Sequence, residues 1–201
     1  MTVTSYLTIE KEANTEFKDR GSRFIAHCFP MADATIFKAN LQVLKKEHVK
    51  SSHFCFGYRL GLDLNNYRSS DGGEPAGTAG KPILGQIDSR QLTDCGVIVV
   101  RYFGGLLLGV PGLINAYKTA ASLVLQLVPV VEKPVVARLH LQFNYTQLNE
   151  VMQLLKSHQA TILLQEQQLF CMFKVEIPLQ KMEEFMFQSD RLHGLVVNTT
   201  A

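Results

Sequence analysis

Asp71, Glu74, Lys81 and Arg101 are set in a stretch, residues 68–112, that holds ten of the chain's fourteen glycines. Two carboxylates so close together suit general acid–base work or magnesium binding. In a Gly/Pro-rich loop they equally suit turn formation and capping. The glycines themselves cost chain entropy. They imply either backbone conformations closed to other residues or close approach to something else.

The loop around Lys81 invites comparison with a nucleotide-binding P-loop. That motif needs glycine where Pro75 stands and Ser or Thr where Pro82 stands, so the comparison fails. What survives is a run of backbone N–H groups at Gly77, Thr78 and Gly80 able to cup an anion beside Lys81. The second glycine run, with Gly104, Gly105 and Gly109, precedes a helix expected to begin near Pro111. A helix start offers free N–H groups and partial positive charge, to which Arg101 and Lys118 would add. The spacing differs from the dinucleotide fingerprint, and no cofactor is expected. His53 and Cys55 alternate on a strand, their Cα atoms roughly 6–7 Å apart, which is awkward for a catalytic pair. No nearby ligand completes a zinc set, and no metal is expected. Cys55 reads as core and His53 as a polar neighbour of the glycine loop. Ser69 and Ser70 lack the elbow that would make them nucleophiles.

These residues need elements to position them. A strand over residues 24–29 is followed by a helix with Ala34, Phe37, Leu41 and Leu44 on one face and Asp33 as its cap. Strands follow over residues 53–60 and through Tyr67, then a short helix from Pro82. Residues 97–100 form the continuous apolar run of a central buried strand. The next helix buries Leu113, Tyr117, Ala120, Val124 and Val128, and residues 129–134, bracketed by prolines, read as a linker. Beyond it a strand over residues 135–143 leads to a helix capped by Asn144 with Leu148, Val151, Met152 and Leu155 inward. Two strands joined by a turn at residues 165–168, a helix from Pro178 and a final strand complete the order β-α-β-β-α-β, that of a ferredoxin-like domain.

The 201 residues are 46% hydrophobic and 19% charged, which fits a folded globular protein. No apolar run approaches the roughly 20 residues that span a bilayer. The start of the chain lacks a signal-peptide layout, and four scattered cysteines are expected to be reduced thiols in the cytoplasm. The net charge is +2. Residues 1–129 carry fourteen Lys/Arg against eleven Asp/Glu, so an anionic partner would prefer that part.

Taken together, SDGGEPAGTAGKP (residues 70–82) and VVRYFGGLLLG (residues 99–109) resemble the signature of the IMPACT (YigZ-like) family. The resemblance implies an α+β protein of two domains. Residues 1–129 would form an α/β domain like a ribosomal small-subunit protein and domain IV of elongation factor G. Residues 130–201 would form a ferredoxin-like domain similar to domain V of that factor. It implies a link to translation, with both glycine blocks lining one cleft. Asp71, Gly72, Glu74, Pro75, Gly77, Thr78, Gly80, Lys81, Arg101, Tyr102, Gly104, Gly105 and Gly109 match the family pattern; His53 and Arg23 would border the same surface. Eukaryotic relatives carry an additional N-terminal interaction domain, and the kinase restraint it serves is not transferred to this chain.

The expected function is therefore a non-enzymatic, translation-associated regulator that binds RNA, the ribosome or another phosphate-bearing ligand. Lys81 and Arg101 would meet phosphate, amides near Gly80 and Gly104 would assist, and Tyr102 would stack on a base. A translation-factor protein is the alternative partner, and no membrane partner is expected. The rival readings are a small-molecule hydrolase or transferase using Asp71, Glu74 and His53, and a pure protein-interaction module.

Overall fold

The computed structural model describes residues 3–63 and 65–199. The fold is α+β, and it divides into two compact units. Residues 6–133 form one; residues 134 onward, with the described residues before Tyr6, form the other.

The first unit contains, apart from the terminal residues Ser5 and Pro134 of its outermost strands, β1 (Ser5–Ile9), β2 (Ala13–Asp19), β3 (Ser22–Pro30), α1 (Ala34–Glu47), β4 (His53–Arg59), β5 (Tyr67–Ser70), α2 (Gly80–Asp88), β6 (Cys95–Tyr102), α3 (Gly109–Gln126) and β7 (Val130–Pro134). Five strands make one sheet in the order β2-β3-β6-β4-β5, with every neighbouring pair antiparallel. β6 lies at its centre and is buried along nearly its whole length, as its apolar run requires. Its two faces serve two cores. Val97 and Val99 pack with Phe24, Cys55, Ile83, Ile87, Tyr117 and Val124 beneath α2 and α3. Ile98 and Val100 pack with Phe37, Leu44, Phe56 and Tyr58 beneath α1. The Asp33 carboxylate accepts the N–H groups of Thr35 and Ile36, capping α1 as its position predicts.

Several expectations need correction. The stretch read as a linker, residues 129–134, is not irregular chain: it contains β7, which pairs with β1, although the division between the two units does fall within it, between Lys133 and Pro134. β1 and β2 are strands beyond those the sequence pattern predicts: β2 alternates exposed Asn14, Glu16 and Lys18 with half-buried residues, an edge-strand pattern whose weak apolar face gives little periodicity. α2 starts two residues before Pro82, and α3 two residues before Pro111, so each proline sits in a first turn where its missing N–H costs nothing.

The second unit runs β8 (Val136–Asn144), a single 3-10 turn (Tyr145–Gln147), α4 (Leu148–Ser157), β9 (Thr161–Gln167), β10 (Phe170–Pro178), α5 (Leu179–Ser189) and β11 (Val196–Thr199). The strand order is β11-β8-β10-β9, antiparallel throughout, and one face carries the core of Leu139, Leu141, Phe143, Val151, Phe173, Val175 and Phe185. Asn144 accepts the N–H of Thr146, and the Gln147 side chain accepts the Asn144 N–H, so the cap precedes the 3-10 turn rather than α4 directly. Met152, expected inward, is exposed, and Leu154 takes the buried position. The predicted turn at residues 165–168 falls later, since β9 continues to Gln167.

α2 approaches β4 so closely that a Cβ on Gly57 would lie 2.8 Å from the Leu84 nitrogen and 2.9 Å from its Cα. A Gly57→Ala substitution is expected to push the helix off the sheet and lower stability by about 2 kcal/mol, the usual cost of overpacking. Urea unfolding followed by far-UV circular dichroism checks this as a lowered midpoint with unchanged slope.

Candidate functional site

The glycine loop between β5 and α2 lies over the sheet face that carries His53, Cys55 and Arg101, and it is held there by two carboxylates. Asp71 turns inward. Its Oδ2 accepts the Gly77 N–H at 2.9 Å, and its Oδ1 accepts those of Ala79 at 3.0 Å and Gly80 at 2.8 Å. The last two open α2, so a carboxylate from upstream in the chain caps that helix and meets its positive end. Burial pushes the Asp71 pKa up, but the hydrogen bonds from Gly77, Gly80 and Ala79 outweigh it and hold the carboxyl below its ordinary range.

Glu74 turns inward as well. Its side chain is 4% exposed, and Oε1 accepts Arg101 Nη1 at 2.6 Å and the Tyr117 hydroxyl at 2.7 Å. His53 Nε2 stands 3.8 Å from the same oxygen, and its Nδ1 lies 3.0 Å from the Gly72 carbonyl oxygen. Arg101 is equally buried; Nη2 donates to Ser22 Oγ at 3.2 Å, and the guanidinium lies between the rings of Phe24 and Phe103, 5.4 and 5.5 Å from their centroids. Cys55 donates to the Asp71 carbonyl oxygen, and burial pushes its thiol up to about 12, so it stays protonated near neutrality. Burial also drives the Tyr117 hydroxyl upward, with the neighbouring Cys55 and Glu74 adding to the shift.

This arrangement reassigns several expected roles. The anion cupped by the loop amides is Asp71 of the chain itself, so the amide donors near Gly80 are occupied. The Gly104 N–H goes to Ser22 Oγ at 3.2 Å, so it too is occupied. Arg101 is spent on Glu74 and does not face solvent. Thr78 is buried and donates to the Pro75 carbonyl oxygen at 2.7 Å. Tyr102 follows Arg101 along β6 and so points to the other face, where its hydroxyl lies 3.0 Å from His48 Nδ1 and its ring lies under Arg23 at 5.5 Å. Thr78 and Tyr102 therefore do not share a surface. Lys81 and Lys118 are exposed, Lys81 on the first turn of α2 and Lys118 on α3.

Glycine at 104 is required by contact. A Cβ there would lie 1.9 Å from the Gly21 carbonyl carbon and 2.2 Å from the Ser22 nitrogen. The loop after β6 is thus pressed onto the β2–β3 turn, and the side chains that follow are thrown outward: Phe103, Leu106, Leu107 and Val110 are all exposed, Leu107 by 85%. Sequence reasoning missed Ser22 and the structural use of Tyr117, which the apolar stripe of α3 disguised as plain core. It also passed over Phe103, whose exposure no period predicts. Among the described residues, no group of three or more His, Cys, Asp or Glu side chains is placed to hold a metal ion.

An inward pair of carboxylates with an outward apolar rim defines a braced loop on an α+β scaffold. Residues 20–125 match the Impact N-terminal domain. The chain is 35% identical to IMPACT family member YvyE of Bacillus subtilis, over 73% of this chain and 68% of that protein. It is 34% identical to IMPACT family member YigZ of Escherichia coli, over 82% of this chain and 81% of that protein. A crystal structure of a hypothetical protein, 30% identical, aligns with a TM-score of 0.76 over all of this chain and 99% of its own. The chain belongs to the IMPACT family.

Because the folded state holds Asp71 ionised more firmly than the unfolded chain does, its stabilisation is full above the ordinary carboxylate pKa. It is lost as pH falls through the lowered folded value. Asp71→Asn is expected to cost about 2 kcal/mol at pH 7, from a weakened cap and poorly satisfied amides. The difference from wild type should shrink on acidification, which denaturant melts from pH 7 down to pH 2.5 would reveal.

Proposed function

We propose that this chain is a non-enzymatic, translation-associated regulator that acts by binding the ribosome or its RNA through the end of the first unit where the two glycine loops meet. The family membership supports the link to translation, through the resemblance of its two domains to a ribosomal protein and to elongation factor G domains IV and V. The observation that carries the binding reading is the direction of the side chains. Asp71 and Glu74, the best candidates for acid–base chemistry, are consumed inside the loop, whereas Phe103, Leu106, Leu107 and Val110 face outward from it. Exposed apolar side chains grouped in this way mark a contact surface. The division of labour we infer gives partner binding to the first domain, residues 1–129, and orientation to the second, residues 130–201. The β-α-β-β-α-β order and the β11-β8-β10-β9 arrangement support a ferredoxin-like second domain. The four free thiols suit a reducing cytoplasm.

A second reading, a translation-factor protein as partner, is favoured by the same apolar rim, since Leu106 and Leu107 lack the charge of a phosphate contact. Co-sedimentation with purified ribosomes at low and moderate salt tests the proposal. Wild-type protein is expected in the ribosomal pellet, and Leu106→Ser with Leu107→Ser is expected to stay in the supernatant. Absence of wild-type protein from the pellet at low salt contradicts ribosome binding. Turnover of phosphate esters that disappears in Glu74→Gln, with the fold retained, contradicts the non-enzymatic reading.

A further inference from the structure

In the second unit β9 ends the sheet, and among the described residues it pairs with β10 alone. A terminal strand leaves a row of backbone N–H and C=O groups facing outward, ready to pair with another extended chain. Proteins blunt such edges with lysine, with proline, or by covering them. β9 has neither lysine nor proline, and Glu166 is its one charge. Six of its seven residues are exposed, Leu163 and Leu164 among them. The register shift between Lys174 and Val175 makes Leu163 an extra residue, with the strand paired on both sides of it.

Beside this edge lies an open groove of about 540 Å³ between β9 and α4. Met152, Gln153 and Lys156 line it from the helix, and Ala160 and Ile162 from the strand side. A volume of that size falls within the range of clefts that hold ligands. Met152 is 40% exposed, and a flexible thioether suits a surface that accepts apolar side chains. Lys156 is the one charged residue lining the groove; it is exposed and belongs to no ion pair among the described residues. The dipole of α4 accounts for a lysine in its last turn, but not for an exposed methionine one turn earlier.

Backbone and charge together select the occupant. An open edge is answered by an extended peptide, whose own N–H and C=O groups match it in register. A peptide running antiparallel to β9 ends beside Thr161, the end of the strand next to Ala160 and the Lys156 groove, so an acidic residue belongs near its C-terminus. A second copy of this chain pairing antiparallel through β9 does not supply that acid. Ile162, Gln165 and Gln167 lie opposite Val175, Phe173 and Cys171, on the face that carries the core and α4, and none of the three is charged. Glu166 lies opposite exposed Met172, so a copy's Glu166 would stay on the far face of the sheet from Lys156.

We propose that the groove between β9 and α4 is a peptide-docking site. An extended segment of a partner protein adds to β9, with an apolar side chain beside Met152 and Ile162 and an acidic one at Lys156. The second domain thereby gains a binding role of its own, independent of the ribosome reading.

Fluorescence anisotropy of the full-length protein with two labelled synthetic peptide pools tests the proposal. Both pools are seven residues long, the length of β9, and alternate Val, Ile or Leu with Thr. Their C-termini are amidated, and the last two positions are Asp in one pool and Lys in the other. The acidic pool is expected to bind and to slow hydrogen exchange of the amides of residues 161–167. Lys156→Glu should weaken the acidic pool by at least about fivefold and turn the preference to the basic pool, a reversal that a merely structural lysine would not give. Met152→Glu should also weaken the acidic pool; both side chains are exposed, so the fold is expected to survive either change. Absence of binding by the acidic pool overturns the proposal. So does binding that leaves exchange in β9 unchanged, or an affinity untouched by Lys156→Glu. A dimer seen by sedimentation velocity and abolished by Met152→Glu would assign the groove to a second copy of the chain and would overturn the proposal as well.

Discussion

The glycine loop of this protein is organised by charge taken out of water. Glu74 and Arg101 meet at 2.6 Å with side chains 4% and 5% exposed, and neither has an alternative ionic partner of equal quality. Such a pair gains little over a well-packed apolar pair, but each half is costly to leave alone. Once the strand presents Arg101 inward, the loop must deliver Glu74 to it. Tyr117 from α3 and Ser22 from β3 complete the arrangement, so β3, β6, the loop and α3 are tied at one place. Asp71 does the same for α2, whose first amides would otherwise need water or a ligand.

The surface follows from that interior. With both carboxylates, the guanidinium and the N–H groups of Gly77, Ala79, Gly80 and Gly104 used internally, what remains outside beside the loop is what the core did not need: the Phe103 ring and the leucines after it. Gly104 presses the loop against Gly21, which keeps those side chains from folding back. The polar chemistry near the glycines thus serves as scaffold, and the large side chains that the loop after β6 leaves exposed are apolar.

Much of this architecture is legible in the sequence. The run at residues 97–100 marks the central strand, Asp33 and Asn144 mark caps, and the glycine density marks where backbone meets backbone. Proximity of the two glycine blocks is also legible, since Glu74 and Arg101 do pair. The direction of each side chain is not. A lone Arg in Val-Val-Arg-Tyr reads as a free cation because the apolar face it shares with Val97 and Val99 is set by β4 and α2, which lie far off in sequence. The split between Arg101 and Tyr102 follows from strand alternation alone and was available from the start.

The claim that the loop hangs on the buried pair is tested most directly by a double-mutant cycle of Glu74→Gln and Arg101→Met, read by equilibrium denaturation at neutral pH. Each single variant is expected to lose about 3 kcal/mol, and the double variant about 2 kcal/mol less than the sum, because removing both charges leaves neither stranded. Losses that simply add, to within about 0.5 kcal/mol, would mean that the two residues stabilise the fold independently and that the loop is held by something else.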